Sequence, residues 1–214
     1  MNAETPEQGL VYDAKNLAFI LPAGKYIGNS RYKDVFAAST TADLTSFRNH
    51  WGAETSLDVE LYRPVARYEL VAKDVATFLN KLSTGGLKGE SFTARVKYSD
   101  YLPTGYNLWD DVPKNSLMYM EYKVAFEPPA DGTKELILGF DYVLTDVGET
   151  VSIPVELEIL NEKNEVLART AFRIPCERGK NTAVRGNFLT SDANGGIGID
   201  PDYDGDLEVD LGEL

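Results

Sequence analysis

Val151-Ser152-Ile153-Pro154-Val155-Glu156-Leu157-Glu158-Ile159-Leu160 decides the fold class. Val151, Ile153, Val155, Leu157 and Ile159 alternate with mostly polar neighbours, the period-2 pattern of a strand with one wet face. Asn161-Glu162-Lys163-Asn164 follows with good turn chemistry, and Val166–Ile174 resumes the alternation, so the three segments read as a β-hairpin. The pattern repeats outward. Glu135–Leu144 sets Leu136, Leu138, Phe140 and Tyr142 against Ile137, Gly139, Asp141 and Val143, while Phe92–Tyr98 and Leu117–Phe126 also alternate. Thr182–Leu189 reads as a last strong strand. Many short strands separated by turn signals, with no βαβ rhythm, imply an all-β, Ig-like sandwich of two sheets and exclude a Rossmann-like or α/β-barrel fold.

The upstream half is less regular. Leu57, Val59 and Leu61 alternate with Asp58, Glu60 and Tyr62, which predicts a strand; Pro64 interrupts it, and Val65–Val71 continues it. One helix is expected over about Lys73–Leu82. Asp74 is placed to cap it, Val75, Phe78, Leu79 and Leu82 share one face, and Thr84-Gly85-Gly86 stops it. That face is expected to plug one end of the sandwich. Leu17–Leu21 reads as a short strand entering a turn at Pro22-Ala23-Gly24. Residues 1–9 are polar, and 26–56 are irregular, anchored by Tyr26, Tyr32, Phe36 and Phe47.

Composition supports the same class. An apolar content of 43% is enough for a core, and twelve Tyr with nine Phe suit a pleated, half-buried surface. The net charge of −13 is uneven: eight acids and no Lys or Arg lie between Asp192 and the end, leaving 26 acids against 21 bases elsewhere. A negative chain without a basic stripe repels phosphate backbones and anionic lipid, so no nucleic-acid partner and no charge-driven membrane docking are expected. No apolar run is long enough to span a bilayer. Met1–Pro6 lacks the basic start and apolar middle of a signal peptide, so an exported form is expected to be a processed one. The single cysteine, Cys176, excludes an internal disulfide and reads as a small buried hydrophobe.

No constellation points to catalysis or to a cofactor. Nucleophilic catalysis would need His50, the only histidine, and no nucleophile elbow exists. Asp110-Asp111 is a carboxylate pair of the kind that 34 acids produce by chance, in a surface turn. Asp200-Pro201-Asp202-Tyr203-Asp204-Gly205-Asp206 matches the start of a calcium loop, but Leu211 stands where a bidentate Glu is required. A solvated acidic tail, or a turn ahead of a closing strand, is the expectation there, with no metal site. Tyr101, Tyr106 and Trp109 are flat amphipathic rings that can form a sugar-stacking platform or anchor a loop on the sandwich end.

Leu61-Tyr62-Arg63-Pro64-Val65-Ala66-Arg67-Tyr68-Glu69-Leu70-Val71-Ala72-Lys73-Asp74-Val75 resembles fimbrillin-like surface lipoproteins of Bacteroides-type bacteria, in a subgroup carrying a C-terminal domain of unknown function. Tyr101–Asn107, Leu138–Val143, Thr182–Thr190 and Gly196–Pro201 extend the resemblance over roughly residues 26–206. The resemblance implies transthyretin-like sandwiches: 1–56 as the remainder of an N-terminal β domain, 57–190 as a C-terminal sandwich, and 191–214 as an acidic tail. It also implies a non-catalytic role in fimbriae or adhesion at the cell surface or outer membrane. Partners would be other subunits, by strand donation, with glycans as the alternative, and any membrane contact would run through an upstream lipid anchor.

Overall fold

The computed structural model describes residues 11–13, 15–16, 20–22, 24–85 and 90–191, together with the backbone of 208–210. In chain order the elements are β1 (Tyr12–Asp13), β2 (Leu21–Pro22), β3 (Val65–Ala72), α1 (Val75–Gly85), β4 (Phe92–Tyr98) and β5 (Leu102–Asn107). There follow β6 (Val112–Leu117), β7 (Glu121–Phe126), β8 (Leu136–Leu144), β9 (Thr150–Leu160), β10 (Val166–Glu177), β11 (Asn181–Gly186) and β12 (Glu208–Asp210). Two four-stranded sheets form the sandwich. One is ordered β10-β9-β4-β7, all antiparallel; the other is β12-β11-β3-β8, in which β11 runs parallel to β3.

The hairpin that decided the class pairs β9 with β10, setting Ile153 opposite Ile174, Val155 opposite Phe172 and Leu157 opposite Thr170. Ile153, Val155, Leu157 and Ile159 are buried against Tyr68, Leu70 and Val184 of the other sheet. Each such side chain contributes about 1.5–3 kcal/mol on leaving water. The opposite face of that sheet carries charge. Glu158 lies in register with both Arg95 and Arg169, a cross-strand ladder that covers the sheet with paired ions.

β8 does not keep one alternation throughout. A bulge leaves Leu138 without a partner on β3, so Leu138, Asp141 and Val143 all serve the inner face. Phe140, Tyr142 and Leu144 then point the other way, into a second small core with Val65 and Tyr106. Tyr12, Ile20 and Val35 pack on that core, and Ile20 exchanges two backbone hydrogen bonds with Tyr106. The β5–β6 hairpin and the 12–35 region thereby cover the outer face of β3 and β8.

The structure corrects several expectations. Residues 57–61 form no strand: Leu57, Val59 and Leu61 are 55%, 49% and 63% exposed, and the ladder starts only at Val65. The alternation is genuine, but among the described residues no neighbouring strand lies alongside to accept it. The expected strand Leu117–Phe126 is two strands, because Tyr119 adopts φ 59° and turns the chain between β6 and β7. The strand expected over Thr182–Leu189 stops at Gly186, where the Phe188 ring folds back within 2.9 Å of where a Cβ would stand. Phe188 and Leu189 enter the core as a turn.

α1 buries Val75, Phe78 and Leu82 as expected. The Asp74 carboxylate instead accepts the Leu189 N–H at 3.0 Å and the Thr190 hydroxyl at 2.7 Å, so it fixes the segment after β11. Gly86, Leu17–Phe19, the glycine-rich 195–198 stretch and the half calcium loop Asp200–Asp206 lie outside the described residues. Glu208–Asp210 pairs antiparallel with Asn181–Ala183, which puts a closing strand on the β11 edge.

Candidate functional site

Positioning of the aromatic residues starts with β5, since the strand Leu102–Asn107 occupies most of the stretch between Tyr101 and Trp109. Alternation along β5 turns Tyr106 inward, 2% exposed, with its hydroxyl donating to Asp111 at 2.6 Å. It presents no ring face to a sugar, which corrects its place in the stacking platform. Tyr101 and Trp109 are 62% and 83% exposed but lie at opposite ends of β5, about 20 Å apart along a strand of that length. The three residues do not form one surface.

The Trp109 end is held by a latch. Asp111, at φ 59°, accepts the hydroxyls of Tyr62 and Tyr106, each at 2.6 Å, and a forked pair from Arg178 at 2.7 and 3.0 Å. Burial alone would raise the Asp111 carboxyl, but the guanidinium and the two phenols outweigh it and hold it at about 2. Arg178 also lies 4.1 Å over the Tyr62 ring. Every lone pair of Asp111 that matters is spent on structure. Asp110 takes the Asn107 amide, so the Asp110-Asp111 pair closes a turn and does not face a cleft.

The Tyr101 end differs. A cleft of 260 Å³ is lined by Lys97, Tyr98, Ser99, Tyr119, Met120, Glu121 and Glu156. Tyr119 stands at its rim, 83% exposed. At φ 59° its backbone lies in the left-handed region, which costs such a side chain about 1–3 kcal/mol. Lys97 and Glu156, paired at 3.0 Å, supply a donor and an acceptor beside it. A flat ring beside hydrogen-bonding groups is the chemistry that holds a saccharide. Sequence reading missed Tyr119 because a positive φ leaves no mark in an alternating pattern.

Cys176 is fully buried, and burial together with the Asp141 charge pushes its thiol up to about 12, so it is a core side chain. None of the described helices is long and apolar enough to cross a membrane.

No curated protein matches the chain. Among solved structures it is similar to a candidate cell adhesion protein from Bacteroides ovatus, at 13% identity and a TM-score of 0.36. That similarity covers 59% of this chain and 41% of the other, and a likeness so distant carries no argument about function. The sequence model of one family, described as a family of unknown function (DUF6562), matches residues 1–212, and the chain belongs to that family.

Proposed function

We propose that the chain is a non-catalytic cell-surface protein, a fimbrial or adhesin-type subunit that joins other subunits by strand addition. One observation carries this reading. Leu57-Asp58-Val59-Glu60-Leu61 has the alternation of a strand, yet it pairs with nothing among the described residues and leaves three large apolar side chains in water. Such a segment is suited to pairing with the sheet edge of a second protein, where backbone bonds give affinity and alternate side chains fill pockets. The fimbrillin-like motifs read from the sequence support the same role. Attachment to the outer membrane is proposed to run through a lipid anchor outside residues 1–214.

These side chains are already about half covered, so burying the rest yields roughly 2–5 kcal/mol, to which backbone hydrogen bonds add, before the cost of association is subtracted. Self-association is therefore expected to be weak, at about 0.1 to 1 mM. Light scattering across that range tests it. The wild-type mass should rise with concentration, and a variant combining Leu57→Glu, Val59→Lys and Leu61→Glu should stay monomeric. A wild-type protein that remains monomeric throughout refutes assembly through this segment.

A second reading, a glycan-binding module, rests on Tyr119 at the rim of the cleft by Lys97 and Glu156, with Tyr101 just before β5, whose Leu102 pairs with Leu117. A glycan array probed with the protein tests it. Binding abolished by Tyr119→Ala supports this reading, and an array without signal removes it.

A further inference from the structure

We propose that Lys33 and Asp141 become joined by an intramolecular isopeptide bond, the lysine Nζ condensing with the aspartate carboxyl and one water leaving.

The geometry is that of reactants held in place. Lys33 Nζ lies 2.6 Å from Asp141 Oδ1, with side-chain exposures of 7% and 0%. The carboxyl carbon is at most one C=O bond length, about 1.2 Å, further from the nitrogen. That brings the pair close to a near-attack arrangement, in a site from which water is largely excluded. Aromatic side chains surround it: Tyr26, Tyr68, Tyr98 and Tyr122 link their hydroxyls to one another and to Asp141. Burial pulls the Lys33 ammonium below the ordinary lysine value while the Asp141 charge opposes it, which favours access to the nucleophilic amine.

The surrounding donors match the steps. Lys33 Nζ donates to the Tyr26 hydroxyl at 3.0 Å, and that hydroxyl donates to Asp141 Oδ2. Tyr26 therefore connects the nitrogen that must lose protons to the oxygen that must gain them. Tyr98 donates to the same Oδ2 at 2.7 Å, and the Tyr142 N–H donates to Oδ1 at 2.8 Å, where negative charge develops in the tetrahedral intermediate. One proton passes from the ammonium through Tyr26 to Oδ2, and the amine lone pair attacks the carboxyl carbon. A second proton follows the same path, the C–Oδ2 bond breaks, and Oδ2 departs as water. Ammonium plus carboxylate becomes amide plus water, with no oxidant or co-reactant. A 30 Å³ cavity lined by Tyr26, Lys33 and Thr104 lies beside the pair and has room for that water. The Thr104 hydroxyl is buried there without a partner.

The bond would tie the Arg31–Lys33 turn to the edge strand β8 across 108 residues of sequence, so a pull on the chain would bypass everything between. Intact-mass spectrometry of the folded chain decides the matter, with peptide mapping to locate the link. Wild type should be lighter by one water and should give a branched peptide joining Lys33 to Asp141. Lys33→Arg keeps the cation, removes the nucleophile and should retain its full mass. Asp141→Asn should lose ammonia instead and converge on the mass of the wild-type product. Tyr26→Phe should slow the condensation. Wild type at full sequence mass after prolonged incubation in the folded state overturns the proposal. So does a loss of water that persists in Lys33→Arg, since that marks a succinimide.

Discussion

Glu158→Gln is the perturbation that tests most sharply how the β10-β9-β4-β7 sheet is held. The Glu158 side chain is fully buried on the charged face of that sheet. It accepts from Arg95 Nε at 2.6 Å, Lys97 Nζ at 2.9 Å and Arg169 Nη2 at 2.7 Å. Burial alone would raise its carboxyl, but the three cations outweigh it and hold it at about 2, against an ordinary 4.5. At about 1.36 kcal/mol per pH unit that depression is worth roughly 3 kcal/mol. Lys97 and Arg169 are each about one-third exposed, so solvent screening trims the expected loss in the glutamine variant to about 2–3 kcal/mol at pH 7. Because the folded-state value is depressed, the wild-type advantage is complete above pH 4.5 and disappears as pH falls towards 2. Urea titrations at pH 7, 5 and 3 measure this. They should be followed by circular dichroism, because Trp51 and Trp109 are almost fully exposed and their fluorescence reports little of the core. The two proteins should differ by about 2–3 kcal/mol at pH 7 and converge at low pH. A difference under about 0.5 kcal/mol at pH 7, or one that stays constant down to pH 3, would refute the reasoning.

Three further outcomes are expected. Asp74→Ala should cost about 1–3 kcal/mol, since it strands the Leu189 N–H, while the helical signal survives; amide exchange at Leu189 should accelerate. Gly105→Ala should destabilise the fold by about 2 kcal/mol or more, read as a markedly lower melting temperature, because its Cβ would stand 2.5 Å from the Lys114 carbonyl oxygen and 2.7 Å from that of Ile20, both backbone atoms. Trp109→Ala, at an exposed turn, should leave stability within about 0.5 kcal/mol in the same urea assay.

Much of the sandwich was legible because its strands bury one face and wet the other. Ile153 to Ile159 announce β9 without help, and the turn at Asn164, with φ 61°, follows from side-chain chemistry alone. What failed did so for physical reasons. β8 is buried on both faces and carries a bulge at Leu138, so no single alternation describes it. Leu57–Leu61 has the right pattern but no partner strand among the described residues, and periodicity says nothing about partners. Tyr106 and Tyr101 look alike in sequence, and only the pairing of β5 with β6 turns one inward. Lys33 was invisible as a core residue, since lysine is seldom buried; only the folded chain sets it against Asp141.

The central claim is that residues 57–61 are a strand awaiting a partner, and hydrogen exchange resolved to those amides measures it most directly. In dilute protein they should exchange freely, in keeping with the absence of any sheet pairing there. At concentrations where the protein assembles, the account predicts that protection appears at 57–61 and at one exposed sheet edge. Assembly that leaves the 57–61 amides unprotected would contradict it.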